Sequence, residues 1–390
     1  MSIRFKFIAM SCIVLVPQMI CRADPDPVVD PSGLSKSITA DPKINERLSA
    51  LIKRHQVPGM VAGLIQGTEL IAVGAAGVRK SSLPEPITVN DKMHLGSCTK
   101  AMTATRVAML VETGKLQWGS TLASVFPEEC KDVHPDLWLV TLEQLLTHRA
   151  GLPANVAWEK LGTTLSTTEQ RLTLLRTALK SAPMKKPGTE FLYSNVGYAL
   201  AGAMIERVTD QSWEQLMEEG LFKPLGMRSA GFGAPGTAGG IDQPWGHISL
   251  GGILIPMQQD NPPALGPAGI VHASISDWAK FAVLHLQQGR GGATMLRPEN
   301  FNRLQTPPEQ ASYAMGWIVV EPDWAKCRVL AHDGSNTMWY AMIWLLPERN
   351  LAVLVAANRA GDSAQTACHE AVRSLLDDFE TIAPISNAKH

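Results

Sequence analysis

Ser97-Cys98-Thr99-Lys100-Ala101-Met102-Thr103-Ala104-Thr105-Arg106-Val107-Ala108-Met109-Leu110 places a nucleophile and a base one helical turn apart. Positions i and i+3 share a helix face, so Ser97 and Lys100 can hydrogen-bond while Cys98 and Thr99 point elsewhere. A serine hydroxyl attacks weakly until a neighbour takes its proton, and a lysine does so when burial and nearby positive charge lower its pKa. At a helix start, backbone N–H groups also point toward a reacting carbonyl and can hold a developing oxyanion. Ser-x-x-Lys arises by chance roughly once in a chain of this size, and Ser386-Asn387-Ala388-Lys389 is a second match. That copy follows Pro384 in a polar tail. After the first, Met102, Thr105, Val107, Ala108 and Leu110 continue the apolar face of an amphipathic helix that Gly114 closes.

Outward from this helix, the pattern changes on both sides. Upstream, Ile44, Leu48, Leu51 and Ile52 repeat at helical spacing up to a Pro58-Gly59 stop. Met60 to Ile65 and Leu70 to Val73, separated by Gly67 and Thr68, then read as a hairpin. Downstream, helices are expected at Thr141 to His148, Thr167 to Lys180, Val196 to Val208 and Ser212 to Phe222. Between Gly231 and Gly269 glycine and proline are dense and periodicity fails, which predicts a long irregular stretch on the rim of a site. A helix at Ser276 to His285 precedes apolar runs at Tyr313 to Val320, Arg328 to Ala331, Met338 to Leu346 and Leu351 to Ala357, read as strands; a last helix spans Ala364 to Leu376.

Strands at both chain ends with helices between imply an α+β fold: one antiparallel sheet, an α/β sandwich flanked by helices, with an all-helical insertion. The expected division is a single domain over 42–380. Its sheet-containing lobe comes from 42–96 and 265–380, and its mostly helical lobe with rim loops from 97–264. Residues 381–390 form a tail. The cleft between the lobes is the default site.

The chain has 390 residues, 45% hydrophobic and 18% charged, enough to bury a large core. A formal net charge of -1 gives no reason to expect a nucleic-acid partner. Arg4 and Lys6 precede an apolar run from Phe7 to Val16, and Cys21-Arg22-Ala23 offers small residues at a cleavage site. Residues 1–23 therefore read as a secretory signal peptide and 24–41 as a Pro-, Asp- and Ser-rich leader. About ten apolar residues are too few to span a bilayer, so no stable membrane insertion is expected and the mature chain is placed outside the cytoplasm, periplasmic or secreted. Lipidation at Cys21 is disfavoured by the bulky Ile20 before it. Cys98, Cys130, Cys327 and Cys368 are scattered, with no metal-ligand spacing and room for one bridge at most.

Two further short motifs carry chemistry. Tyr193-Ser194-Asn195 lies between the turn Lys186-Pro187-Gly188 and a helix. Its phenol could exchange a proton with Ser97 and its amide could bind a substrate carbonyl or hold Lys100, although a helix N-cap beside a buried tyrosine explains the residues equally well. His332-Asp333-Gly334-Ser335 follows an apolar strand; a glycine there lets a ligand's backbone approach, and the Ser335 N–H could complete an oxyanion hole. His148 reads as structural. Gly231 to Gly236 matches Gly-x-Gly-x-x-Gly, but no strand is expected before it and Pro235 blocks a following helix, so nucleotide binding is not expected.

Taken in order, Ser97-x-x-Lys100, Tyr193-Ser194-Asn195 and His332-x-Gly334 make the chain resemble the serine β-lactamase and D-Ala-D-Ala peptidase superfamily, nearest its class C-like and carboxypeptidase branch. Val57-Pro58-Gly59, Leu145 to Pro153, Pro187-Gly188, Lys223 to Met227 and Pro267-Ala268-Gly269 look like further landmarks of that family, so the resemblance covers nearly the whole mature chain. It implies a β-lactamase/transpeptidase-like fold and acyl transfer through a covalent serine ester, with no metal or cofactor. By resemblance Ser97 attacks, Lys100 and Tyr193 share the base and acid roles, and Asn195 binds the substrate amide. His332 adds to the proton network, and the N–H groups of Ser97 and Ser335 hold the oxyanion. The departure is Asp333, where the family usually carries a threonine that helps bind a substrate carboxylate. An ionised Asp would repel that group unless it points away or is paired, which predicts a preference for esters or amides lacking the carboxylate. The partner expected is a small-molecule or peptide substrate; ester, amide, β-lactam and D-peptide stay open, as does oligomeric state. The rival reading is a catalytically silent protein that binds a cell-wall fragment or partner on the same fold.

Overall fold

Met60 to Ile65 near the start of the chain and Leu351 to Ala357 near its end are apolar throughout, so each needs cover on both faces. In the computed structural model, which describes residues 39–162, 164–288 and 295–382, they pair with each other at the centre of a sheet that helices cover on both faces. The strands are β1 (Gly59–Gln66), β2 (Glu69–Gly77), β3 (Lys92–His94), β4 (Gly231–Phe232), β5 (Gly246–Leu250), β6 (Ile253–Met257), β7 (Val271–Ser274), β8 (Ile318–Val320), β9 (Val329–Ser335), β10 (Tyr340–Leu346) and β11 (Leu351–Ala357). Six of them form an antiparallel sheet in the order β2-β1-β11-β10-β9-β8. The β1–β11 register, Met60 opposite Ala357 through Gln66 opposite Leu351, is where the two ends of the chain meet.

The helices are α1 (Pro42–His55), α2 (Thr99–Glu112), α3 (Leu122–Val125), α4 (Leu142–Leu146), α5 (Thr167–Ala178), α6 (Asn195–Thr209), α7 (Trp213–Met217), α8 (Gly266–Gly269), α9 (Ile275–Gln287), α10 (Pro298–Gln305) and α11 (Asp362–Ile382). Strand alternation splits the sheet's side chains into two cores. Met60, Ala62, Val353 and Val355 face α1 and α11, where Ile44, Leu48, Leu51, Cys368 and Val372 cover them. Val61, Ile65, Leu354 and Ala356 face α9 and, beyond it, the helical lobe. Within that lobe Arg171 of α5 is fully buried and pairs with Glu206 of α6 and Glu214 of α7. Gly202 of α6 lets Pro267 of α8 press against the helix: a methyl group at Gly202 would lie 2.3 Å from Pro267 Cγ. That contact sets the height of α8, which bears Ala268.

Three expectations change. The helix after Ser97 is central rather than amphipathic: eleven of the fourteen residues of α2 are buried, because sheet and helices enclose it on all sides. The segment from Gly231 to Gly269 is not irregular throughout. It contains β4, the β5–β6 hairpin and α8, and the hairpin turns at Gly251-Gly252 with φ of 57° and 82°, the paired positive values that a two-residue turn of this kind demands. The strand expected over Tyr313 to Val320 is only β8, because Gly316 turns at φ 84° where the chain crosses α2; a side chain there would fall 2.5 Å from Ala101. Cys98, Cys130, Cys327 and Cys368 are all unpaired. Among the described residues no helix is long and apolar enough to cross a membrane. The expected signal peptide, most of the leader, the Ser386 to Lys389 match and residues 383–390 of the tail lie outside the described residues.

Candidate active site

The chain leaves β3 at His94 and turns through Gly96 at φ 49° into a 3₁₀ turn, Gly96–Cys98, that runs straight into α2. Ser97 sits half-buried on this turn and Lys100 in the first turn of α2, with no exposed surface. Lys100 Nζ lies 2.9 Å from Ser97 Oγ, 2.8 Å from Asn195 Oδ1 and 2.8 Å from the Ala268 carbonyl oxygen. The last two are pure acceptors. A neutral amine that donates its two protons to them keeps its lone pair for the Ser97 hydroxyl. Burial drives Lys100 in that direction, holding its pKa well below the ordinary lysine value.

Tyr193 and Asn195 come from the entry to α6. Ser194 is its N-cap, accepting from Gly197 N–H at 3.0 Å and donating to the Pro153 carbonyl at 2.6 Å, which pins the two flanking side chains toward Ser97. Asn195 uses its Oδ1 on Lys100 and donates through Nδ2 to Asn155 Oδ1 at 3.0 Å. The sequence left a choice between binding substrate and holding Lys100; here Asn195 holds Lys100. The Tyr193 ring lies 4.8 Å from Lys100 Nζ, and burial pushes its phenol pKa up, opposed in part by a hydrogen bond with Ser97. Tyr193 is therefore a neutral phenol beside a lysine that gives up its proton readily.

The third element, β9, runs beside the Ser97 turn and differs from its sequence reading at three residues. His332 faces the site but is buried with both ring nitrogens occupied, Nε2 by Tyr313 Oη at 3.1 Å and Nδ1 by the Asp333 carbonyl at 2.6 Å. Burial, with help from Lys100, pushes its pKa down to about 3, so it carries no charge. Asp333 points to the opposite face of the sheet, as strand alternation requires. There it accepts from Tyr340 Oη at 2.6 Å and lies 3.8 Å from His369 Nε2 of α11. It cannot repel a substrate in the cleft from that face. Gly334 is needed by the protein's own backbone rather than a ligand's, since a methyl group there would fall 1.9 Å from the Leu95 oxygen and 2.8 Å from Ser97 N. The Ser335 backbone, likewise, lies against Gly96, where a methyl would fall 2.3 Å from Ser335 N.

Several contacts of the site carried no sequence signal. Asn155 holds Asn195, the Ala268 carbonyl holds Lys100, and Tyr313 reaches in from a loop before β8. His148, read as structural, packs its ring 4.3 Å from Tyr193 and 4.7 Å from Tyr313 and accepts the Ser194 N–H at 3.0 Å through Nδ1. Its φ of 57° is a conformation non-glycine residues adopt mainly where surroundings impose it. One signal was available. The chain has only four tyrosines; three pack together around His148, and the fourth bonds to Asp333 behind β9.

The β-lactamase family model matches residues 44–376. Among curated relatives, penicillin-binding protein 4 of Amycolatopsis lactamdurans is 26% identical over 351 residues, covering 86% of this chain and 89% of its own. Unguisins hydrolase ungD' of Aspergillus campestris is 26% identical over 369 residues, 88% of this chain and 66% of that protein. Among solved structures, the octameric penicillin-binding protein homologue from Pyrococcus abyssi superposes with a TM-score of 0.73 at 25% identity, covering 86% of this chain and 77% of that one. Matched from α1 to α11 and bearing Ser97 and Lys100 in contact beside β9, the chain belongs to the β-lactamase family of penicillin-binding-protein-like serine hydrolases.

Proposed function

We propose that this protein is an extracytoplasmic acyl hydrolase that cleaves esters or amides lacking a free carboxylate at the family's carboxylate position, through a covalent acyl-Ser97 intermediate. One observation carries the reading: the Lys100 amine, fully buried, lies 2.9 Å from Ser97 Oγ with its other two contacts taken by acceptors. Neutral Lys100 takes the Ser97 proton as Oγ bonds to the substrate carbonyl carbon, and the N–H groups of Ser97 and Ser335 receive the oxyanion. As the intermediate collapses, the bond to the alcohol or amine breaks. Tyr193 gives that leaving group its proton and is reprotonated from the Lys100 ammonium. Water then attacks the acyl carbonyl carbon as neutral Lys100 takes its proton; the bond to Ser97 Oγ breaks, Oγ receives that proton, and the acid leaves.

The preference for neutral acyl donors rests on His332 rather than on Asp333. A buried neutral imidazole with both nitrogens engaged offers no charge to a carboxylate. The relatives named penicillin-binding protein and hydrolase support acyl transfer; the basic and apolar start of the chain supports export. Labelling with a fluorophosphonate tests the chemistry: wild type is expected to label stoichiometrically and Ser97→Ala not at all. An unlabelled wild type would favour the silent binding protein. In a panel of a nitrophenyl ester, a D-amino-acid amide and a chromogenic β-lactam, the ester is expected to turn over fastest and the carboxylate-bearing β-lactam slowest.

A further inference from the structure

The proposed oxyanion site is assembled from two turns, one at Ser97 and one at Ser335, that no covalent neighbour joins. Asp260, on the loop after β6, sits between them with its side chain 12% exposed. Its Oδ1 lies 2.9 Å from His94 Nε2, and His94, with no exposed side-chain surface, accepts the Gly96 N–H at 3.1 Å through Nδ1. With Nδ1 accepting, the ring proton sits on Nε2, at ion-pair distance from the carboxylate without hydrogen-bond alignment, and the residue before the nucleophile is tied to the ring. The same Oδ1 accepts from Asn336 Nδ2 at 2.9 Å. Asn336 Oδ1 in turn accepts the N–H groups of Met338 at 3.2 Å and Trp339 at 3.1 Å, while Ser335 Oγ accepts from Thr337 N–H at 3.0 Å.

Those bonds close the β9–β10 turn around Thr337, which stands at φ 73°. A β-branched residue holds that conformation only when its surroundings over-determine it. Next in the chain, Asn261 donates from its backbone to Asp260 Oδ1 at 2.6 Å and from Nδ2 to the Gly269 carbonyl at 2.8 Å, one residue beyond the Ala268 oxygen that holds Lys100. Two adjacent side chains thus reach the Ser97 turn, the Ser335 turn and the segment bearing the Lys100 acceptor.

We infer that Asp260 is a positioning residue: by holding His94 and Asn336 at one oxygen, it fixes the spacing of the Ser97 and Ser335 N–H groups and so the stabilisation of the oxyanion. This rests on the proposed hydrolase reading. A group acting this way contributes in the transition state and little to substrate binding, so its loss lowers kcat and leaves KM. A purely structural Asp would lower only the fraction of competent molecules.

The full chain is first titrated with a fluorophosphonate, so that rates are expressed per competent Ser97, and then assayed on a nitrophenyl ester. Asp260→Ala is expected to label to wild-type stoichiometry, with kcat down about 100-fold and KM within about twofold of wild type. Asp260→Asn, which keeps one acceptor oxygen, is expected to recover much of that loss. Asn336→Ala, which cuts only the Ser335 branch, is expected to lower kcat about 10-fold. It also serves if Asp260→Ala fails to fold. The double variant is expected to be no slower than Asp260→Ala alone, because both changes act through one contact. Wild-type kcat per labelled site in either single variant, or additive losses in the double, would overturn the positioning role of Asp260 while leaving the hydrolase reading intact. Wild-type protein that does not label would overturn both.

Discussion

Lys100 is held by geometry in the state its chemistry needs. An ammonium buried among neutral partners is costly, and among the described residues no carboxylate contacts this one, so the neutral amine prevails as pH rises through the depressed pKa. Activity is therefore expected to climb along an acid limb set by Lys100. Tyr193, pushed the other way, stays protonated across that range and governs the alkaline limb. Lys100→Met keeps the volume without the lone pair, and Lys100→Arg keeps a cation that cannot be neutralised. Each is expected to lower kcat/KM by about 10²- to 10⁴-fold, and the residual activity of Lys100→Met should have lost the acid limb. A pH–rate profile unchanged in shape would remove Lys100 from the base role. At this scale the sequence was informative where chemistry is carried by spacing: i and i+3 sufficed to pair Ser97 with Lys100. It was silent where contacts are made across the fold. Nothing in the strings around Asn155 or Tyr313 says that they meet Asn195 and His332. For Asp333 the sequence left open whether the side chain meets the cleft or points away and is paired, and strand alternation, which adjacent letters do not display, settles it for the second.

At the scale of elements, the site is the line where β9 touches the turn before α2, and that contact has no room for a side chain on either surface. A methyl at Gly96 would meet Ser335 N at 2.3 Å, and one at Gly334 would meet the Leu95 oxygen at 1.9 Å. Both obstacles are backbone, which cannot swing aside as a flexible side chain can. Gly334→Ala is therefore expected to pry β9 from the Ser97 turn. It should cost about 1–3 kcal/mol of stability, as overpacked cores do, and lower kcat by at least about 10-fold by widening the oxyanion site. Urea denaturation and ester turnover on the same preparation check both; unchanged kcat would mean that the two N–H groups do not act together. The elements themselves were largely readable. Apolar runs at both chain ends predicted one sheet built from both of them, and 3.6-residue periodicity found α1, α5, α6, α9 and α11. The β5–β6 hairpin escaped because density of glycine was taken as irregularity, although Gly251-Gly252 between His247 to Leu250 and Ile253 to Ile255 carried the signal of a tight turn.

Across the whole molecule, burial has suppressed the charge of histidines on several elements at once, and this couples the fold to pH. Burial lowers His285 of α9 and His332 of β9 to about 3, and His247 of β5 and His272 of β7 to about 4. In the unfolded chain each titrates near 6.5. Between the two values the unfolded state binds protons that the folded state refuses, so stability is full above the unfolded pKa and falls as pH drops below it. Each histidine contributes up to about 1.4 kcal/mol per pH unit. Four together approach about 5 kcal/mol per pH unit, against a total stability of about 5–15 kcal/mol for an ordinary domain. Glu206 and Asp333, both raised by burial, act in the opposite sense. They hold protons from their raised values down to the unfolded carboxylate range near 4, so they offset part of the loss, and the four histidines outweigh the two carboxyls between pH 6.5 and 5. The urea midpoint is expected to fall steeply across that interval and to level above pH 7. His285→Gln, which removes one of these titrations on α9, should reduce the slope by about one proton. A midpoint constant from pH 7 to 5 would mean that these rings accept protons in place, through water reaching the two cores.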